Sequence, residues 1–335
     1  MYSDDPMKLQ QLRCLIALAD SGSMRAAASA LAISPAAMSQ TLRELEEACG
    51  APLFRRTVTG TVTTDAGSRL LAHARLIAGQ VRRAEQEIDA IRDVTTATLG
   101  VAITPWVSQA LLPQTIGLWQ KRFPKARIDA YESLGSGYHT LRDGTVDLAI
   151  GLPPREESKS VLFHRPLCTC GFAVIARRGH PQSKCTSLRD LANARWVLTL
   201  RQDGSVQPLN QLLHRWGIQP RPDQILIARS TLIALSMLEG SDAITVCPWP
   251  LVESPLLRQR VQALPIRDPL PPMACSLITR RGEPLSAVAQ GFVDCFLESL
   301  QRGVRSKESA LRKMLDTVTT DVVSDAPMGE RSETA

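Results

Sequence analysis

The sequence predicts three parts: an N-terminal winged helix-turn-helix, one long linker helix, and a larger α/β domain. Three patterns carry that prediction. Two helix-forming stretches stand about two residues apart near the N-terminus. Apolar residues then recur at alternating spacings of four and three from Leu70 to Ile91. Beyond residue 97, short aliphatic and β-branched runs alternate with helical periods, the order that builds parallel sheets. A chain of 335 residues also exceeds one average domain, so several compact units are expected.

Leu9, Leu12, Ile16 and Ala19 predict an amphipathic first helix that closes a three-helix core. Ser23 is the N-cap candidate of an alanine-rich second helix. Ser34 followed by Pro35 marks a third start, because proline fits the first helical position. With only Ala32 and Ile33 between them, the two helices must cross steeply. Met38, Leu42 and Leu45 share one face of the third helix and predict its inward side. Ala36, Ser39, Gln40 and Arg43 form the opposite stripe. Short side chains let a helix sink into the major groove of DNA, where Gln pairs with adenine and Arg with guanine or phosphate. The alternative is a solvated face on an ordinary helical hairpin. Gly50 is a left-handed helix stop. The β-branched run Thr57–Thr64 around Gly60 predicts a hairpin, hence a wing. Arg55 and Arg56 lead into it and are candidate phosphate anchors, with Ser34 and Pro35 at the helix start.

Over Met7–Gly67 the chain resembles the N-terminal domain of LysR-type transcriptional regulators. The matching motifs are Leu12-Arg13, Gly22-Ser23, Ala26-Ala27, Ser34-Pro35-Ala36-Ala37-Met38-Ser39, Pro52-Leu53-Phe54-Arg55-Arg56-Thr57 and Thr64-Asp65-Ala66-Gly67. Two departures stand out. Ser34 sits where the family often has Gln, and Thr59, Val62 and Thr63 replace the usual basic residue and Leu of the wing. An uncharged wing shifts the expected backbone contacts to Arg55 and Arg56. The resemblance implies a cytoplasmic regulator with double-stranded promoter or operator DNA, further copies of itself and RNA polymerase as partners. It bounds the DNA-binding domain at residues 7–64.

Residues 65–93 predict a single helix. Leu70, Ala74, Ile77, Val81, Ala84, Ile88 and Ile91 form three heptads of an a/d seam. So narrow a stripe has the period of a two-helix seam and is assigned to dimerisation, packing on its own domain being the alternative. The family resemblance extends the assembly to a homodimer or homotetramer.

Residues 97–302 resemble, more loosely, the effector-binding half of the same family, itself similar to type 2 periplasmic binding proteins. The matches include Leu112-Pro113, Phe123-Pro124, Gly144–Ile150, His180-Pro181 and Val246-Cys247-Pro248. That architecture implies two lobes, the first from about 97–165 and 266–302 and the second from about 166–265. Crossings are expected near 163–169 and 263–268, and a mobile tail over 303–335. Ligands of such sheets sit beyond the carboxyl ends of strands, where helix N-termini offer N–H groups. Thr104, Ser108, Gly204, Ser205 and Ser230 occupy such positions, each with plain N-capping or turn formation as its alternative role. Trp106 is placed to stack on an effector or to fill the core. A cleft for a small organic anion follows, and the basic balance of residues 94–302, 23 Lys and Arg against 16 Asp and Glu, agrees with it.

Net charge gives the DNA reading no support. Residues 1–67 hold six basic against seven acidic side chains, although the whole chain is +6. The eight cysteines include no C-x-x-C pair, and Cys168 and Cys170 would share one face of a strand without completing a metal site. The histidines at 73, 139, 164, 180 and 214 have neither metal nor triad spacing. None of the nucleophile-elbow, P-loop, zincin or dinucleotide motifs occurs, so no catalysis, cofactor or metal is expected. No run has the length of a membrane span, and the acidic start lacks an apolar signal core. The rival reading is a small-molecule-binding protein of the periplasmic type without DNA function, which leaves the helix-turn-helix unexplained.

Overall fold

A computed structural model describes residues 7–319 except 58–59, 92–96, 135–137, 200–212, 214–216, 271, 307–311, 313–314 and 316–317. The chain divides into two units, residues 1–97 with 139–147, and residues 98–138 with 148–335.

The first unit contains α1 (Leu9–Ser21), α2 (Met24–Ala30), α3 (Pro35–Cys49), the hairpin β1 (Phe54–Thr57) and β2 (Gly60–Thr63), and α4 (Asp65–Ile91). Its core is Leu12, Leu15, Leu18, Met38, Leu42, Leu45, Leu53 and Ala74. The inward face of α1 differs from expectation. Gln11, Leu12, Cys14, Leu15 and Leu18 are buried, while Leu9, Ile16 and Ala19 are half-buried. The reason is that α1 packs against α2, α3 and α4 together, which takes a broader stripe than one partner would. Ala32 makes the turn between α2 and α3 at φ 54°, a left-handed conformation unusual for a residue with a Cβ. Ser23 precedes α2 as its N-cap, but its side chain accepts no capping bond. The wing is tied down at Gly22, whose φ of 63° ends α1 and whose carbonyl accepts from Thr61 N at 3.0 Å. Gly67 lies so close to the wing's entry that a Cβ there would stand 2.0 Å from the Leu53 carbonyl oxygen.

The second unit begins with β3 (Thr98–Ile103), α5 (Pro105–Ala110), α6 (Leu112–Arg122) and β4 (Arg127–Glu132). The short helix α7 (His139–Arg142) is counted with the first unit. There follow β5 (Leu148–Gly151), β6 (Leu162–Cys170), β7 (Phe172–Arg177), β8 (Arg195–Thr199), β9 (Ile225–Ala228), α8 (Thr231–Glu239) and β10 (Ala243–Pro248). Then come α9 (Trp249–Val252), β11 (Val261–Ala263), β12 (Met273–Arg280) and α10 (Ala287–Val304). The strands form two five-stranded sheets, ordered β4-β3-β5-β12-β6 and β11-β7-β10-β8-β9. The expectation of parallel sheets holds only in part. β3 runs parallel to β4 and β5, and β8 to β9 and β10. β12 and β7 pair antiparallel with their neighbours, because the chain enters or returns to each sheet from the other one.

The first crossing lies later than the expected 163–169. β6 pairs with β12 from Leu162 to Cys170, so that whole stretch stays in the first sheet and the chain crosses at Gly171. The boundary expected at 165/166 is corrected accordingly. The return falls between Ala263 and Met273. The tail expected over 303–335 is also corrected up to Thr319. Leu315 and Val318 are buried in the core of the second unit, and Thr319 exchanges two backbone hydrogen bonds with Thr169, at 2.8 and 2.9 Å. Among the described residues no helix is long and apolar enough to cross a membrane.

Candidate functional site

α3 presents the stripe that the sequence singles out. Met38, Leu42 and Leu45 are buried beneath it, and Ala36, Ser39, Gln40 and Arg43 are exposed. Ser34 accepts from Ala37 N at 3.1 Å, and Pro35 occupies the first turn, so both act as a helix start and both are exposed. Gln40 donates to Glu44 Oε1 at 3.0 Å, an exposed bond that a base edge would have to replace. Arg55 is exposed on β1 opposite Val62. The side chain of Arg56 lies outside the described residues. One residue whose role the sequence left unassigned is Glu46. Its Oε1 accepts from Leu53 N at 2.7 Å and Phe54 N at 3.2 Å, and so fastens the wing's first strand to the C-terminal half of α3.

The seam residues of α4 divide into two groups. Ala74 is buried in the first unit's own core and Leu70 packs against it. These two are therefore occupied within the unit, as the alternative reading of the seam required. Further along, Ile77 and Ala84 are exposed, Val81 is half-exposed, and Ile88 keeps 52% of its surface accessible. The side chain of Ile91 lies outside the described residues. An apolar row of this kind on one helix is a surface in want of a partner.

In the second unit a cavity of about 330 Å³ opens between the two sheets. Thr104, Pro105, Trp106, Leu152 and Met273 face it from the first lobe, and Phe172, Ile175, Thr231, Leu235 and Pro248 from the second. Of the sequence-predicted effector residues it brings together Thr104 and Trp106. The Thr104 hydroxyl makes no capping bond, and the buried Trp106 Nε1–H has no acceptor. Ser108 and Ser230 do not line it. Ser108 Oγ donates to the Pro105 carbonyl at 2.7 Å, and Ser230 Oγ accepts from Ile233 N at 3.2 Å, so both are spent on their own helices. Gly204 and Ser205 lie outside the described residues. The apolar liners and Glu132 escaped a search for polar strand ends followed by helices. Glu132 ends β4, and its Oε1 accepts from the backbone N–H of Thr231 at 3.2 Å and from the Thr231 hydroxyl.

Five cysteines of this unit, Cys168, Cys170, Cys247, Cys275 and Cys295, are buried and behave as core, while Cys185 is half-buried. Cys168 and Cys275 face each other across β6 and β12. Burial pushes the Cys170 thiol up to about 12, and Cys247 rises for the same reason. Cys275 rises through its hydrogen bond with Cys168 and through burial. Thiols held protonated in this way are poor nucleophiles.

Comparison with known proteins bears on both units. Residues 9–68 match the family described as bacterial regulatory helix-turn-helix protein, lysR family, and residues 92–301 match the LysR substrate binding domain. The chain is 25% identical over 303 residues to the HTH-type transcriptional regulator TdcA of Escherichia coli K12, covering 90% of this chain and 96% of that protein. It has the fold of CbnR, a LysR family transcriptional regulator, with a TM-score of 0.60 at 20% identity over 88% of this chain and 99% of that one. Full-length CbnR complexed with its target DNA gives 0.58 at 21% identity, covering 88% of this chain and all of that one. With a helix-turn-helix that matches one family model and a two-sheet domain that matches the other, the chain belongs to the LysR family of DNA-binding transcriptional regulators.

Proposed function

We propose that this regulator reads operator DNA through Ala36, Ser39, Gln40 and Arg43, anchors on the phosphate backbone through Ser34, Pro35, Arg55 and Arg56, and answers to a small molecule held between its two lobes. The observation that carries the reading is α3 itself. A helix capped by Ser34, buried on one side by Met38, Leu42 and Leu45, offers an exposed stripe of short and hydrogen-bonding side chains. That surface has the chemistry of a major-groove reader. The row from Ile77 to Ile88 supports a homodimer through α4, and paired recognition helices suit two half-sites one helical turn apart. Higher assembly to a tetramer, action in the cytoplasm, contact with RNA polymerase and the absence of catalysis belong to the same reading.

The cleft supports the effector half of the proposal because its walls come from both lobes. A ligand there regulates DNA only by preferring one disposition of the lobes over another. The test is a mobility-shift titration with DNA from beside the protein's own gene. Wild type is expected to shift it in discrete complexes, and an Arg43→Ala/Gln40→Ala double variant to lose preference for it over unrelated DNA. Unchanged preference in the double variant would remove α3 from the role.

A further inference from the structure

We infer that Glu132 is a clasp between the two lobes of the second unit, a positioning residue that holds the cleft closed at the margin away from the chain crossings. The clasp acts with or without a ligand, so its failure would leave the effector reading above standing.

Sheet order sets the lever. In the first sheet, β4-β3-β5-β12-β6, the strands that lead to and from the other lobe are β6 and β12, at one side. In the second, β11-β7-β10-β8-β9, they are β7 and β11, again at one side. The chain therefore crosses along that side, at Gly171 and between Ala263 and Met273. β4 and β9 are the opposite edges of the two sheets, and α8 follows β9 directly. A hinged pair opens widest at the margin farthest from its hinge. A contact placed there has the longest lever on the angle between the lobes.

Glu132 supplies that contact. It is the last residue of β4, opposite Ile103 of β3, and the next N–H, from Ser133, donates to the Ile103 carbonyl at 2.8 Å. The strand end is thus fixed to the first lobe. Across the cleft, Glu132 Oε1 accepts from the Thr231 backbone N–H at 3.2 Å and from the Thr231 hydroxyl. Ser230 Oγ takes the Ile233 N–H of the same turn at 3.2 Å. First-turn N–H groups have no partner inside their own helix, and a carboxylate suits the positive end of the helix dipole. α8 therefore carries one cap from its own lobe and a second from the opposite lobe. Closing the lobes is what completes its first turn. Thr231 and Ser133 also line the cavity. A molecule held there abuts the clasp, and one that prefers closed lobes loses apparent affinity in proportion to the closed fraction when Glu132 is removed.

The experiment uses the full-length protein and needs no ligand. Lobe opening is read in two ways. One is hydrogen exchange at the Thr231 amide. The other is the rate at which methyl methanethiosulfonate, a small neutral thiol reagent, labels Cys247, a buried residue of the cavity wall. Both bonds of the clasp are exposed to solvent, which keeps their strength at the low end for a charged acceptor. Glu132→Ala is therefore expected to raise both rates about three- to tenfold. Cys168, Cys170 and Cys275, buried but not part of the cavity wall, should stay unlabelled. Glu132→Gln, isosteric and uncharged, should fall between wild type and Glu132→Ala, and it stands in should the alanine variant fold poorly. Thr231→Val removes the hydroxyl but leaves the N–H, and should give a smaller rise. Glu132→Ala/Thr231→Val should react no faster than Glu132→Ala alone, because both changes break one shared interaction. Wild-type rates in Glu132→Ala, or effects that simply add in the double variant, would remove the clasp. Labelling of all four cysteines together in Glu132→Ala would report unfolding in place of lobe opening, and would overturn it equally.

Discussion

At the residue scale, Arg43 and Arg55 occupy different positions that predict different defects. Arg43 stands on the exposed stripe of α3, where a bidentate contact to a base discriminates by about 1–3 kcal/mol. Arg43→Ala is therefore expected to relax operator preference by that amount in fluorescence anisotropy. Arg55 lies on β1, outside the recognition helix, and its replacement by Ala should weaken all sequences alike and flatten the salt slope by about one unit. If Arg55→Ala instead changed preference and Arg43→Ala did not, the two roles would have to be exchanged. Glu46 makes a stability prediction of another kind. Its carboxylate satisfies two backbone N–H groups at the wing's entry, and hydrogen bonds to a charged group contribute about 1.5–3 kcal/mol. Glu46→Ala should cost that order of stability by denaturant unfolding, whereas Glu46→Gln keeps an acceptor and should recover much of it. Cysteine reactivity belongs to this scale as well. Cys49 is exposed, while Cys168, Cys170, Cys247 and Cys275 are buried, and burial raises the thiols of Cys170 and Cys247. A disulfide-exchange reagent at pH 8 should label Cys49 in the native protein and those four only after unfolding.

At the scale of elements, α4 shows how far periodicity reaches. The heptad row was legible from Leu70 to Ile91, but spacing alone cannot say which partner a residue meets. Ala74 proves to be core of its own unit, because α1 lies across the first turns of α4. Ile77 and Ile88 remain exposed, at 44% and 52%. The two groups should therefore respond differently to a buried charge. Ile77→Asp with Val81→Asp is expected to dissociate the assembly while each unit keeps its fold, seen as a lower mass in sedimentation with an unchanged circular dichroism spectrum. Ala74→Asp should instead unfold the helix-turn-helix, since an unpaired carboxylate in a core costs several kcal/mol. A dimer that survives the paired Ile77 and Val81 changes would assign assembly to another surface. The third helix was the most legible element, because capping, helix stop and both faces were all local signals. The effector residues were the least. Ser108 and Ser230 share with Thr104 the pattern of a hydroxyl near a strand end, yet they cap or brace their own helices. A one-dimensional pattern does not record which hydroxyl is already bonded, nor that Glu132 approaches from a distant strand.

At the scale of the whole chain, what the sequence under-read was the antiparallel half of each sheet and the last described residues. Both depend on contacts between segments far apart in the chain. β12 returns from the second sheet and lies between β5 and β6, and Thr319 pairs with Thr169 on β6, two residues before the crossing at Gly171. Trp249 adds to the same region by donating its backbone N–H to the Gly171 carbonyl at 2.9 Å. The crossing is thus braced from the C-terminal side by a stretch that lacks any strong pattern of its own. Leu315 and Val318 supply the energy. They are 3% and 7% exposed, and burying side chains of this size stabilises by about 1.5–3 kcal/mol each, an upper bound for a compact unfolded chain. A truncation tests this brace. Ending the chain at residue 304 removes Leu315, Val318 and the Thr319 bridge, and should cost on the order of 3 kcal/mol, roughly 6–12 °C in Tm for a unit of this size. Loosening the crossing should also widen the range of lobe dispositions, so small-angle scattering of the 304 truncation should report a broader distribution. An unchanged Tm for the truncated chain would mean that the segment merely rests on β6 and braces nothing.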